Sequence, residues 1–182
     1  MKVLHLLLLF LMVSVSDTFA QPVYEVQEGE VKFYSEASEE IIKAFSGDLK
    51  GVIDFSKKTF AFKIAISSFE GFNSALQREH FNENYMETTS FPLATFVGKI
   101  IEDVTLEENA TLKIRTKGKL KIHGIEDMRI IPVTIKIDNK RVSITGDFTV
   151  LLADHQIKIP RVVNNKLSEK IYVSVFAKLA AK

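Results

Sequence analysis

The chain has 182 residues, of which 46% are hydrophobic and 26% charged, the make-up of one ordinary globular domain and not of a disordered or fibrous chain. Its 24 Lys and Arg against 23 Asp and Glu leave a net charge of +1, which gives no electrostatic case for a nucleic-acid or anionic-membrane partner. Cysteine is absent, which excludes a disulfide framework, a thiol nucleophile and a zinc–cysteine site; tryptophan is absent too, and the 14 phenylalanines supply bulk apolar volume.

The N-terminal segment reads apart from the rest. Lys2 gives a positive start, Leu4 to Val13 is apolar except for His5, and Thr18-Phe19-Ala20 precedes Gln21 as a small-x-Ala cleavage site. These are the three regions of a secretory signal peptide, and the apolar run is shorter than the roughly twenty residues a membrane-spanning helix needs. Residues 1–20 are expected to be a signal peptide cleaved after Ala20, and residues 21–182 one barrel domain, periplasmic or secreted, with no stable membrane anchor.

From there alternation with period two dominates. Short strands are expected at Val23 to Gln27 and Glu30 to Tyr34, on either side of a turn at Gln27-Glu28-Gly29. Ser38 to Phe45 carries Ile41, Ile42 and Phe45 at roughly helical spacing behind Glu39 and Glu40, which predicts a short helix. Gly47 to Phe55 and Thr59 to Phe69 read as strands, the second with Phe60, Phe62, Ile64 and Ile66 on one face. Ser74 to Tyr85 predicts a second helix, with Leu76, His80 and Phe81 on one side, Asn73 or Ser74 as cap and Pro92 as terminator. Ala94 to Glu102 is a strand containing Phe96.

Thr111 to His123 is the clearest strand. Leu112, Ile114, Leu120 and Ile122 share a face with Thr116 and Gly118, while Lys113, Arg115, Lys117, Lys119, Lys121 and His123 take the other. Ile131 to Ile137, Val142 to Leu152 (with Phe148) and Ile171 to Leu179 complete the set. Most spacings are too short for crossover helices, so the pairing should be antiparallel. About nine strands, apolar on one face and charged on the other, leave a sandwich or a closed barrel, and the long strands favour the barrel. The interior of a barrel of about eight strands either fills with side chains or holds one small ligand.

Three stretches carry a family resemblance. The first is Arg78-Glu79-His80-Phe81-Asn82-Glu83-Asn84-Tyr85-Met86 with Phe91-Pro92-Leu93-Ala94-Thr95-Phe96. The second is Gly118-Lys119-Leu120-Lys121-Ile122-His123-Gly124-Ile125, and the third is Asp147-Phe148 followed by Asp154-His155-Gln156-Ile157-Lys158-Ile159-Pro160. In this order, over Val23 to Leu179, they resemble the YceI-like family. The sequence departs from the family pattern at Ile125-Glu126-Asp127, where many members have Thr-Arg or Thr-Lys, and at Phe91-Pro92 in place of Tyr-Pro.

The resemblance implies an all-β, eight-stranded antiparallel, lipocalin-like barrel with one or two short helices, binding a polyisoprenoid or related lipid chain inside. The residues expected to form the cavity and its lid are Phe60, Phe62, Ile64, Ile66, Leu76, His80, Phe81, Phe96, Leu112, Ile114, Leu120, Ile122 and Phe148. The segment from Ser74 to Tyr85 is expected to lie across one mouth of the barrel, with Leu76, His80 and Phe81 inward and His80 hydrogen-bonded.

Candidate chemistry is sparse. His80 shares a helix face with Glu83, but two ligands are not a zinc site. Asp154-His155 lacks a nucleophile in a recognisable motif, and no G-x-S-x-G, P-loop, G-x-G-x-x-G or His-Glu-x-x-His occurs. The basic row on Thr111 to His123 reads as a solvated outer face. A binding protein, not an enzyme, is therefore expected, with no cofactor, no metal and no nucleic-acid partner, and a homodimer is compatible with this reading. The competing reading is the same barrel filled by side chains and acting as a ligand-free stress-response or interaction module.

Overall fold

The computed structural model describes residues 22–139 and 141–182. The segment expected to be a signal peptide, residues 1–20, lies outside the described residues. Nine strands form one antiparallel sheet: β1 (Tyr24–Glu36), β2 (Ile41–Ser46), β3 (Lys50–Asp54), β4 (Thr59–Ala65), β5 (Leu93–Ile100), β6 (Thr111–Ile122), β7 (Ile125–Asp138), β8 (Arg141–Leu151) and β9 (Lys170–Ala181). Neighbours in sequence are neighbours in the wall, and β1 closes it by pairing with β9 from Tyr24↔Ala181 to Ser35↔Ile171.

The nine strands occupy eight places. β2 pairs with β1 from Val31↔Ser46 to Glu36↔Ile41, and β3 continues the same register at Glu25↔Val52 and Tyr24↔Ile53. They are one strand, broken at 47–49. The result is a closed eight-stranded antiparallel barrel with one short α-helix, α1 (Ala75–His80).

Several local expectations are corrected. Ser38 to Phe45 is not a helix: β2 alternates, with Ala44 and Ser46 buried and Ile41, Lys43 and Phe45 outside. Six cross-strand pairs with β1 outweigh a helical spacing that rests on three residues. The expected turn at Gln27-Glu28-Gly29 is a bulge inside one long strand, with the register shift between Val26 and Glu28. Gly29 permits the close approach, since a Cβ there would stand 2.8 Å from that of Leu49. The strand begun at Thr59 ends at Ala65 and gives way to a 3-10 turn over Ile66–Ser68.

The long strands follow the sequence pattern closely. Along β6, Ile114, Thr116, Gly118 and Leu120 are buried, and Lys113, Arg115, Lys117, Lys119 and Lys121 are exposed. Part of that basic row is paired: Arg115 Nε lies 2.7 Å from Glu102 Oε1, and Lys119 Nζ 2.8 Å from Glu126 Oε2.

The two ends of the barrel differ. One carries the turns at 55–58 and 101–110, and is sealed by Phe55, Ile137, Val142 and Leu179 with Val104, Leu106 and Ala110 packed on them. The other carries the connections 37–40, 66–92, 123–124 and 152–169. At the sealed end the Ser56 hydroxyl donates to Asp54 Oδ1 at 2.6 Å and the Lys57 backbone N–H at 2.9 Å, holding the Asp54 carboxyl down at about 2. With its pKa depressed in the fold, the carboxylate contributes stability above the ordinary value of 3.8, and the contribution is lost as pH falls through about 2. Asp54→Asn is therefore expected to be less stable than wild type at neutral pH, the gap closing toward pH 2, as urea midpoints at the two pH values will show.

Candidate functional site

The barrel encloses a cavity of about 600 Å³ that opens at the end carrying the long connections. Its deep part is bounded by Ile53, Phe60, Ile100, Ile114, Ile135 and Ile144, all buried. Strand alternation explains the lining, because a closed barrel turns every second side chain inward.

Of the expected cavity residues, Phe60, Phe62, Ile64, Ile66, Leu76, His80, Phe81, Phe96, Ile114, Leu120, Ile122 and Phe148 all line this space. Leu112 does not: one pair closer to the sealed end than Ile114, and opposite Ile135, it packs into the plug below the cavity floor. Leu76 and His80 line the mouth but remain exposed, Leu76 at 58%. No hydrogen bond of the His80 ring is found among the described residues, so the expected bonded lid histidine is corrected.

Phe81 is the member of the helical segment that reaches the core. Helix α1 is capped by the Ser74 hydroxyl, which accepts from the Gln77 N–H, and runs on into a π-helical turn over Phe81–Tyr85. The Phe81 ring stacks on Phe33 of β1 at 5.5 Å and meets Phe72 at 5.0 Å and Phe69 at 6.0 Å. Helix α1 itself has no buried residue. It is held over the mouth through Glu40, whose Oε1 accepts from Asn73 Nδ2 at 3.1 Å and Gln77 Nε2 at 2.9 Å.

A second covering segment escaped the sequence reading. Residues 152–169 bring Leu152, Ile157, Val163, Lys166 and Leu167 to the cavity. Ile66, Met86, Leu152 and Ile157 form a small buried cluster that joins the two covers. The large apolar residues of this segment, Leu152, Ile157, Ile159, Val162, Val163 and Leu167, are scattered without a strand or helix period and gave no signal of a cover.

The remaining histidines pin these covers to the barrel. His123 and Gly124, at φ of 50° and 75°, make the tight turn between β6 and β7. A Cβ at Gly124 would stand 2.6 Å from the Phe91 ring, which packs edge-on against His123 at 4.5 Å between centroids. His123 Nδ1 donates to the His155 carbonyl at 3.1 Å, and its Nε2 lies 3.5 Å from Glu87 Oε2. His155 is fully buried and donates from Nδ1 to the Ile125 carbonyl at 3.2 Å. Asp154 turns away, toward Arg129 at 3.8 Å, so the adjacent acid and histidine form no relay. Among the described residues no group of three or more metal-ligating side chains comes together, and no helix is long and apolar enough to cross a membrane.

Comparison with known proteins gives one family and one fold. The family model described as YceI-like domain matches residues 24–179. A solved polyisoprenoid binding domain from Saccharophagus degradans, implicated in plant cell wall breakdown, is 14% identical with a TM-score of 0.77, the match covering 89% of this chain and 100% of that one. BcnA of Burkholderia cenocepacia is 16% identical at a TM-score of 0.69, covering 84% and 96% respectively. A Campylobacter jejuni YceI protein is 16% identical at a TM-score of 0.58, covering 76% and 84%. No curated protein matches the chain.

Proposed function

Because the chain belongs to the YceI-like domain family, we propose that it is an exported carrier that encloses a polyisoprenoid or a similar long apolar molecule inside its barrel. The observation that carries this reading is the open cavity of about 600 Å³ with its apolar floor and wall. A cavity of this size favours a ligand over the alternative of a barrel filled by its own side chains. The polyisoprenoid-binding neighbour of the same fold supports the choice of ligand class.

The mechanism is burial without chemistry. Each methylene transferred from water to the barrel contributes about 0.8 kcal/mol, so a long chain gains affinity with few polar contacts. Cavity length and width then set selectivity. Helix α1 and the segment 152–169 serve as covers, and lifting α1 breaks the Glu40 hydrogen bonds while leaving the Phe81 cluster in place. Export rests on the signal-peptide pattern of Met1 to Ala20.

Organic extraction of the protein recovered from the exported fraction, followed by mass spectrometry, tests both parts. The expected result is a chain beginning at Gln21 and an extract containing a long-chain isoprenoid or lipid. Retention of Met1 in that fraction would contradict the export reading, and an extract of polar molecules alone would contradict the ligand.

A further inference from the structure

The outward face of β5, β6 and β7 is strongly basic. Lys99, Lys113, Arg115, Lys117, Lys119 and Lys121 fill exposed places on β5 and β6. Two carboxylates meet them, and both are taken: Glu102 holds Arg115 at 2.7 Å and Glu126 holds Lys119 at 2.8 Å. No ion pair of Lys99, Lys113 or Lys117 is found among the described residues. Lys99 and Lys117 are, moreover, register partners, directly opposite each other across β5 and β6. Like charges in that position destabilise a sheet, so the fold itself gains nothing from the pair.

Net charge conceals this wall. The +1 of the whole chain averages the basic face with the rest of the molecule. On the opposite side of the barrel, β1 carries four glutamates against one lysine. The positive field therefore leaves the barrel on one side. Apolar side chains are set among the lysines there. Lys119 lies between Val97 and Met128, and Lys117 beside Ile130. Val97, Met128 and Ile130 are 50%, 54% and 56% exposed, on the outside of a barrel whose inward positions are apolar.

We propose that this wall docks on an anionic lipid bilayer. Ammonium groups then sit at the level of the lipid phosphates, while the neighbouring apolar side chains reach the boundary with the acyl chains. The lysine stems cover the same apolar surface and carry their charges outward. Nucleic acid fits this face less well. Phe96, the aromatic residue of these three strands, lines the cavity and offers no ring for a base to stack on, and a phosphate backbone gains nothing from Met128 or Ile130. The wall of a barrel is convex, and a fluid surface follows that shape without a matched partner. The row runs from Lys113, near the sealed end, to Lys121, near the mouth, so the docked barrel lies on its side.

Cosedimentation of the full mature chain with vesicles tests this. Binding is expected to equimolar phosphatidylglycerol and phosphatidylethanolamine and not to phosphatidylcholine alone, and to weaken as salt shortens the screening length from about 10 Å at 0.1 M to about 3 Å at 1 M. The double variant Lys99→Glu with Lys117→Glu should lose at least tenfold in vesicle affinity. Lys43→Glu with Lys170→Glu makes the same charge change on exposed places of β2 and β9, across the barrel, and should stay within twofold of wild type. Equal losses in the two variants, or no binding to the anionic vesicles, would overturn the proposal. So would binding to a DNA duplex that matches vesicle binding and is untouched by Met128→Ser with Ile130→Ser. Because the chain has no cysteine, single labels report the orientation. An environment-sensitive dye on Ile130→Cys should shift to the blue on the anionic vesicles, and one on Val162→Cys, in the cover 152–169, should not; the reverse pattern would contradict a barrel lying on this wall. Docking is separate from uptake, so a chain lipid delivered from cyclodextrin should bind Lys99→Glu with Lys117→Glu as it binds wild type.

Discussion

Ile64→Lys is expected to abolish binding of a chain lipid and to destabilise the barrel by several kcal/mol. Ile64 is 7% exposed and lines the cavity on β4, the strand that also carries Phe60 and Phe62. A lysine there replaces a methyl-bearing surface with an ammonium, and the carboxylate of the lining, Glu40 at the mouth, is already engaged by Asn73 and Gln77. Burying an unpaired charge is costly enough that the chain would either expel it through the mouth or unfold locally. Either outcome removes the apolar continuity on which binding depends. Lys117→Ala, an exposed change on the outer face of β6, is the control and should keep both stability and binding. Urea unfolding and lipid-probe titration of the two variants check this. Equal probe binding by Ile64→Lys and wild type would show that the inner face of the barrel takes no part in ligand binding.

Phe81→Ala is expected to remove roughly 3 kcal/mol of packing, the usual range for deleting a phenyl ring from a core contact. The ring touches Phe33, Phe69 and Phe72 at once, so its loss leaves a gap that no single neighbour can close. Because this cluster anchors the helical segment to β1, the variant should also hold its ligand less long. Affinity changes within one site appear mostly in the off-rate, so release of a fluorescent lipid should accelerate more than capture slows. Stopped-flow release from wild type and a folded Phe81→Ala measures the difference. Identical release rates would make the helical segment ordinary packing with no part in ligand exchange.

Much of the barrel was legible because its signal is local. Thr111 to Ile122 alternates without a break, and an inward isoleucine or leucine next to an outward lysine leaves no other arrangement. The capped helix was legible for the same reason, from Ser74 and the spacing behind it. Ile41 to Ser46 was not, because what makes it a strand is pairing with β1, and its own apolar spacing suits a helix equally well. The bulge at Gln27 depended on the fit of Gly29 against Leu49, a contact between residues twenty positions apart.

The candidate site divides in the same way. Inward-facing positions on the strands could be read from alternation, and of the candidate cavity residues all but Leu112 line the cavity. Depth could not be read, since alternation tells inside from outside and says nothing of where the floor lies. The contribution of 152–169 was also hidden. Its 3-10 turns carry no period, and Ile157 is buried by contact with Ile66, Met86 and Leu152 from other parts of the chain.

Titration of the delipidated mature protein with geranylgeraniol, followed by calorimetry, bears most directly on the central claim that the barrel encloses one long apolar chain. The account predicts saturation at one chain per barrel and a negative heat-capacity change, as burial of apolar surface requires. Absence of uptake by protein shown to be folded would contradict it.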